Sequence, residues 1–568
     1  MPILDITLER INELLGKKLS LDELNEIVFQ YGMEIESHEV IEGYNHLKIE
    51  ITPDRPDMLS SYGFVRAIRK YLGLSKGLDR IEIRDSDYKI FVNKNVANIR
   101  PYIGAAVIKN VNLSEDDLLD LIYAQEKLHD TFCRSRVKAS IGLYPYDKIK
   151  WPLRYLVKDP NEIVFRPLET DVKMNGLEIL EKHPTGIKYA FILKDKKQFP
   201  VFEDADGNVL SMPPIINSED HGKITTADKN ILIEVTGIHR PTMEYVLNMM
   251  VYSILEIGGE LYKVSVIYEG GETIDYPRIK PSERIIERKY VERILGIRMP
   301  LNEIEDLLMK MGYGVEKIDE EKIKVLIPQY RADVLHEIDI VDDIGRAYTY
   351  DKFEPELTPV FTIGSYLEKK YIIDCMREIL IGMGYLEAYT FALTSTEDQF
   401  DKMNIEHSNY VRVGGAKERK LNMVRVWLLP ELLKTLAYNK DKRKPIQLFE
   451  LAPIVLLDKN FEAGAKNVYH LAALSAHSDA SFTEIRRVLE YLLLSLNFEN
   501  YKFIRAKHAS FIEGRVAEVI VEDKSIGYVG ELHPEVILNW GLDFPIAAFE
   551  ININKLFNWQ ESELDVSE

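Results

Sequence analysis

The sequence predicts a multidomain chain of mixed α+β and α/β architecture, and three observations carry that prediction. The chain has 568 residues, which at roughly 150 residues per domain suggests about four domains. Its apolar fraction of 46% and charged fraction of 29% are those of ordinary globular protein, not of a disordered, collagenous or coiled-coil chain. A helical module near the N-terminus returns 280 residues later, with a different kind of unit between and after the copies.

The repeat is read from residues 11–36 and 291–316. Six of the 26 positions are identical without gaps: Leu15/Leu295, Gly16/Gly296, Leu21/Leu301, Glu23/Glu303, Gly32/Gly312 and Glu36/Glu316. Each copy predicts helix, tight turn, helix. Ser20 is a good N-cap and Glu23 completes a capping box; in the second copy Pro300 opens the helix, where its missing N–H costs nothing. Leu21, Leu24, Ile27, Val28 and Tyr31 keep helical spacing, and Gly32 and Gly312 sit where a C-terminal cap glycine belongs. After a small change of register, residues 47–51 and 323–327 read as strands, followed by Arg55-Pro56-Asp57 and Arg331-Ala332-Asp333 and a further helix. The prediction is a small helix-turn-helix-like module used twice, over 1–85 and 277–355. Neither second helix carries a basic face, so DNA is not the expected partner.

The last helix of the second copy carries an acidic constellation. Asp339 and Asp343 are four apart and share a face, Asp342 lies beside them, and Asp333 precedes them at the turn. Four converging carboxylates repel one another unless a cation sits among them, and hard oxygen ligands favour Mg²⁺ or Ca²⁺. In the first copy Gly63, Arg66 and Ala67 stand where the second has Asp339, Asp342 and Asp343, so the scaffold itself does not demand carboxylates there. A solvated acidic helix face and a cation site both remain open on spacing alone.

Charge and cysteine content narrow the classes. Lys plus Arg is 72 and Asp plus Glu 92, for a net charge of −20, which argues against a generic polyanion-coating protein but leaves room for a local basic patch. The two cysteines, Cys133 and Cys375, lie far apart and exclude a disulfide framework and a cysteine-rich zinc site. No signal-peptide pattern opens the chain and no run of about 18 apolar residues occurs, so the expected location is cytoplasmic, away from membranes.

Residues 90–275 form the different unit. It opens with apolar residues at 105–108 and a helix over about 115–130. Arg134, Arg136 and Lys138 make a basic cluster able to hold a phosphate backbone or to lie solvated on a strand. Residues 210–218 combine two prolines with Ser211, Asn217 and Ser218, and on the strand 233–237 Glu234 and Thr236 point one way. Together these residues line a small polar pocket or form ordinary turn and strand surface. HExxH, GxSxG, P-loop and GxGxxG motifs are absent.

Residues 360–558 read as one further domain. A helix near 366–384 places Tyr371, Ile372, Cys375, Ile379 and Leu380 on one face. A strand follows at 386–393, then a helix from about Leu428-Leu429-Pro430 to Asn439, and strands at 447–451 and 547–551.

In their order along the chain these segments resemble the phenylalanyl-tRNA synthetase β-subunit family, in its archaeal and eukaryotic form. The resemblance rests on Asp54-Arg55-Pro56-Asp57, Gln125-Glu126-Lys127-Leu128-His129, Ser211-Met212-Pro213-Pro214-Ile215-Ile216-Asn217, Glu234-Val235-Thr236-Gly237, Leu428-Leu429-Pro430 with Phe449-Glu450-Leu451, and Gly530-Glu531-Leu532-His533-Pro534. It implies an α₂β₂ tetramer that joins phenylalanine to tRNA(Phe), with ATP and the synthetic chemistry on the α partner. It implies that residues 90–275 are an α+β editing domain, with Ser211, Asn217, Ser218, Glu234 and Thr236 in a site hydrolysing Tyr-tRNA(Phe). Arg134, Arg136 and Lys138 are then the expected tRNA contacts, and Asp333, Asp339, Asp342 and Asp343 the expected Mg²⁺ ligands; bacterial relatives tend to place Glu at the last two. The C-terminal domain resembles a class II synthetase antiparallel-sheet domain without its catalytic motifs. Arg425 precedes Leu428-Leu429-Pro430, but no motif 3 GxGxxR follows. The competing readings are a non-catalytic scaffold and tRNA-binding subunit without editing, and, further off, a free-standing nucleic-acid-binding regulator.

Overall fold

The computed structural model describes residues 2–358, 360–415, 418 and 420–559. Its contacts divide the chain after Leu357. The first unit holds both repeat copies and the middle region around one continuous buried core running from Leu4 to Ala347.

The helices of the first copy form as their capping residues require, while in the second Pro300 is itself the N-cap of Leu301–Lys310, with no side-chain cap. Ser20 accepts from the Glu23 N–H while Glu23 reaches back to the Ser20 N–H, and Gly32 ends the helix Leu21–Tyr31 at φ 94°. The module is nevertheless α+β and not helix-turn-helix. In the first copy the strand Ile3–Thr7 precedes the helices, and Glu34–Ile41 and Tyr44–Glu50 follow them; Ser282–Glu287, Gly314–Lys317 and Lys322–Ile327 repeat the pattern. Each copy closes a three-stranded antiparallel sheet with its last strand in the middle. The extra strands escape the sequence because Glu34–Ile41 and Ser282–Glu287 are largely exposed and mix charged, polar and apolar residues, so they lack the apolar alternation that marks a half-buried strand.

The two copies pack on each other reciprocally. A Cβ on Gly32 would lie 3.5 Å from the Arg346 guanidinium, and one on Gly312 would lie 3.1 Å from Lys70. Lys70 and Arg346 are equivalent positions in the shifted register, so each copy lays a long cation across the other's cap glycine. Arg66, which replaces an aspartate of the second copy, inserts its guanidinium 4.2 Å from the Tyr330 ring and 5.4 Å from that of Tyr252. The acidic face of one copy has become the cation–π anchor of the other.

The middle region is built on two sheets. One orders Ile83–Arg84, Glu260–Tyr262, Tyr102–Lys109, Ile231–Gly237 and Ala139–Pro145; the other has seven strands, from Ile216–Asn217 at one edge to Thr273–Tyr276 at the other. Because Ile83–Arg84 pairs with Leu261 and Tyr262, the region begins before Ile83, ahead of the expected 85/90 boundary. The helix Arg240–Ile257 packs on Ile231–Gly237 and Tyr102–Lys109, and a small satellite core gathers Ile163, Phe165, Tyr189, Leu193, Met212 and Ile215.

In the second unit a seven-stranded sheet runs from Leu386–Glu387 through Ile446–Leu457, Ala465–Ala476, Ile546–Asn552, Lys524–Leu532 and Phe511–Val521 to Tyr501–Arg505. Only the first pair is parallel. A separate core lies on each face of the sheet. The helix Glu368–Gly382 buries Ile373, Met376 and Leu380 and leaves Tyr371 and Cys375 exposed, so its inward face is turned from the predicted one. The segment read as a strand over 386–393 holds only the two-residue strands Leu386–Glu387 and Leu393–Thr394. Among the described residues no helix is long and apolar enough to cross a membrane.

Candidate functional site

In the first unit a cleft of about 430 Å³ opens between the helix Glu115–Asp130, the strand Ile231–Gly237 and the Pro213-Pro214 turn. Glu126, Arg136, Ser140, Ser211, Asn217 and Glu234 lie on its wall.

Glu234 is the chemical centre of this wall. Its Oε2 accepts from the Tyr144 hydroxyl at 2.9 Å, whereas Oε1 is buried and has no hydrogen-bond partner among the described residues. Burial pushes its carboxyl up to about 7, against the Tyr144 hydrogen bond, the Arg100 charge and the Thr236 hydroxyl, which all favour the anion. The pairing Glu234↔Gly142 across the strands explains how Tyr144 reaches it. A Cβ on Gly142 would lie 2.3 Å from the Tyr144 oxygen, so glycine leaves the space through which the phenol folds back. Tyr144 also lies 2.8 Å from Ser211 Oγ and 3.5 Å from Asn217 Oδ1. A phenol has one proton. Given to the carboxylate, it leaves the Tyr144 oxygen to accept from Ser211.

Thr236 shares the face of Glu234 but stands one layer behind the cleft. Its Oγ1 accepts from Arg100 Nε at 2.9 Å and lies 3.0 Å from Ser140 Oγ. Ser140, not Thr236, reaches the wall. Arg100 is fully buried, and it also donates to the carbonyls of Val137 and Thr236 and to Ser140 Oγ. Ser218 is buried outside the cleft, its hydroxyl accepting from the Asp220 N–H at 3.2 Å.

The basic cluster divides. Arg134 is exposed and Lys138 half-buried. Arg136 turns inward: it donates to the Ile215 carbonyl at 2.7 Å and to Glu126 at 2.8 Å, and lies over the Tyr189 ring at 4.2 Å. The turn that inverts it holds three consecutive non-glycine residues at positive φ: Arg134 at 49°, Ser135 at 52° and Arg136 at 66°. Such residues cost about 1 kcal/mol or more each and persist where the surroundings over-determine them. Arg136 is therefore part of the cleft and is not available to a phosphate backbone as an exposed strand cation.

His129 fixes that arrangement. Its Nε2 accepts from the Ile141 N–H at 2.8 Å, so Nδ1 carries the proton and donates to Glu126 at 3.0 Å. Burial and the Arg136 charge lower its imidazole to about 4. Glu126 is held at about 2, because the His129 hydrogen bond and Arg136 outweigh the burial that would raise it. With both ring nitrogens engaged, His129 positions Glu126 and Arg136 and does not take a proton. Cys133 is buried and its thiol is pushed up to about 12 by burial, so it is not a ready nucleophile.

Comparison with known proteins gives the chain its context. Family models match at residues 1–74 (Phe-tRNA synthetase beta subunit B1 domain), 285–350 (tRNA synthetase B5 domain) and 355–553 (phenylalanyl tRNA synthetase beta chain CLM domain). The phenylalanine–tRNA ligase beta subunit of Methanocaldococcus jannaschii is 38% identical over 97% of this chain and 100% of its own length. That of Pyrococcus furiosus is 36% identical over 98% and 100%. The chain belongs to the phenylalanine–tRNA ligase β-subunit family. A solved N-terminal fragment of the Pyrococcus horikoshii β-subunit matches with 36% identity and a TM-score of 0.59, covering 61% of this chain and 99% of the fragment.

The carboxylates expected to hold Mg²⁺ in this β subunit have other partners. Arg331 donates from Nη2 to Asp333 at 2.6 Å and to Asp343 at 2.6 Å, and Asp343 also accepts from Tyr313 at 2.6 Å. Asp339 accepts from the Leu335 and His336 N–H groups, and Asp342 pairs with Arg346 at 2.9 Å. Burial would raise Asp333, but Arg331 outweighs it and holds the carboxyl below its ordinary range. Among the described residues no three His, Cys, Asp or Glu side chains converge on a metal position. As arranged, these residues do not fit a Mg²⁺ cage; the guanidinium of Arg331 is the compensating charge.

In the C-terminal domain Arg425 is engaged by the chain itself. It donates to Glu450 at 2.8 Å, Thr390 Oγ1 at 2.9 Å and the Pro453 carbonyl at 3.1 Å. Glu550 accepts from the Leu428 and Leu429 N–H groups at 2.9 and 2.8 Å, so a carboxylate covers the N-terminus of the helix Leu429–Tyr438.

Proposed function

We propose that this β subunit hydrolyses Tyr-tRNA(Phe) in the cleft around Glu234, and that its C-terminal domain serves assembly with an α partner. The observation that carries the reading is that Glu234, a residue of the cleft wall, has a buried Oε1 with no partner among the described residues. A tyrosyl phenol donates to it; a phenylalanyl ring leaves a buried anion unsatisfied. A site built on a hydrogen bond rejects the analogue that lacks it far more strongly than an apolar pocket rejects an added hydroxyl.

In this reading water attacks the ester carbonyl carbon, the acyl–oxygen bond breaks, and the ribose oxygen takes the proton. Ser140 and Arg136 on the same wall orient the ester and the water. No side chain forms a covalent intermediate, and catalysis rests on positioning. Arg134 and Lys138 are the remaining members of the expected tRNA contact.

Tyr144→Phe tests the centre without touching substrate. The Tyr144 hydrogen bond favours ionised Glu234, so its loss is expected to move the rising limb of the deacylation pH profile to higher pH, leaving the plateau rate within a few-fold. A profile that does not move detaches Tyr144 from the site.

The engagement of Arg425 by Glu450, and of the helix N-terminus by Glu550, supports the absence of amino-acid activation on this chain: a bound triphosphate needs cations that these groups do not offer. Phenylalanine-dependent ATP–pyrophosphate exchange is expected from the α-containing complex and not from this chain alone; exchange by the lone chain contradicts that assignment. Tyr389 and Phe391, 91% and 87% exposed, give the domain an apolar surface suited to such a partner.

A further inference from the structure

A second cleft backs onto the first. It is lined by Arg100, Val137, Phe191, Lys196, Pro214 and Ile238 among others, with a volume of about 330 Å³. Pro214 lies on the walls of both clefts. Phe191 and Ile238 are 51% and 46% exposed, in a turn and at a strand end. The floor beneath them is the buried Leu193 together with Arg100, whose guanidinium is fully used within the fold.

Lys196 lines this cleft, and the chain around it is locally basic although the whole carries −20. Residues 184–200 hold four lysines, Lys188, Lys194, Lys196 and Lys197, against one acidic residue, Asp195. Lys194, Lys196 and Lys197 are exposed. Lys138, whose carbonyl accepts from the Ile238 N–H at 3.0 Å, and the exposed Arg134 extend the same border. An exposed aromatic ring with a lysine beside it, in a locally basic segment, is the pattern that single-stranded nucleic acid takes: a base stacks on the ring and its phosphates lie along the charges.

We propose that this second cleft receives a nucleobase of the single-stranded 3′ end of the RNA, stacked on Phe191, with Lys194, Lys196 and Lys197 along its phosphates. The inference rests on the hydrolytic reading of the first cleft, because an aminoacyl ester held there brings its terminal nucleotides to the rim, and the wall at Pro214 separates the two. It extends the RNA track from the turn that carries Arg134 to the Phe191–Lys197 segment. A cleft of this size lies at the lower end of small-ligand sites, about 300–1,000 Å³, which suits a single base.

Two measurements on the full chain test it. The first is deacylation of Tyr-tRNA(Phe) by Phe191→Ala and Lys196→Glu. Both are expected to raise KM by roughly 5- to 100-fold, the range of one lost base stack, with kcat retained; hydrolysis of a tyrosine ethyl ester, which carries no nucleotide, is expected to stay at the wild-type rate. The second needs no catalysis. Phe191→Trp places an indole on the platform, and a short RNA ending in CCA is expected to quench its fluorescence beyond that of the four native tryptophans, with the quenching lost at high salt and in the Lys196→Glu background. An unchanged KM, or no added quenching, overturns the proposal. A wild-type chain that hydrolyses neither ester sinks the editing reading instead, and the quenching result then decides the RNA cleft by itself.

Discussion

Replacing Glu234 by Gln is expected to lower kcat/KM for Tyr-tRNA(Phe) hydrolysis by roughly 10- to 100-fold, the loss of one charge-assisted hydrogen bond. Glu234 is the one cleft carboxylate with a buried oxygen left unsatisfied by the described residues. The amide keeps the shape and gives up the charge. Wild-type activity should rise with pH through about 7, where the carboxyl ionises, and the variant should lose that limb.

Stability should move the other way. The folded carboxyl at about 7 lies above its ordinary 4.5, so the protonated form is the one folding favours. Its contribution is fully present below about 4.5 and is lost as the pH rises through 7. Above that, the anion costs at most about 3 kcal/mol, from 1.36 kcal/mol per pH unit. Glu234→Gln is therefore expected to melt higher than wild type at pH 8 and alike at pH 4. Chemical denaturation at the two pH values checks this; a variant that is less stable at pH 8 and inactive has simply lost its fold.

The second large effect belongs to Arg331. Arg331→Met is expected to destabilise the first unit by about 3–5 kcal/mol at neutral pH, because it strands two carboxylates in a low-dielectric site. Arg331, Asp333 and Asp343 have side-chain exposures of 2%, 11% and 4%. Arg331 holds Asp333 below its ordinary value, so the stability of that pair is present above about 4 and fades as the pH falls. The deficit of the variant should shrink accordingly in acid. Restoring neutrality with Asp333→Asn and Asp343→Asn should return much of the loss; a triple variant no more stable than Arg331→Met makes the effect one of packing.

Much of this was legible in the sequence, for physical reasons that differ from residue to residue. Ser20, Glu23, Pro300 and the cap glycines announce helices because capping is local chemistry. The partnership of Glu234 with Ser211 and Asn217 came from motif order, and the fold brings the three to one wall. Thr236 and Ser218 fell behind that wall because strand alternation tells which side a residue faces and not how deep it lies. Tyr144 and Arg100 went unread: their roles depend on pairings 90 and 136 residues distant. Gly142, two residues before Tyr144, is the one local hint. Arg136 was misread for a related reason, since three left-handed residues in a row invert a strand that spacing alone leaves straight. The four aspartates lie on one helix face or beside it, but their spacing does not show that Arg331, two residues from Asp333, is the counter-charge of Asp333 and Asp343.

The central claim is that this chain clears tyrosine from tRNA(Phe). The most direct measurement is the decay of Tyr-tRNA(Phe) and Phe-tRNA(Phe) in the presence of the purified chain, alone and with its α partner, against Glu234→Gln. Selective loss of the tyrosyl ester, dependent on Glu234, is the predicted result. Equal persistence of both esters in the assembled complex contradicts the account and leaves the chain as an assembly and tRNA-positioning subunit.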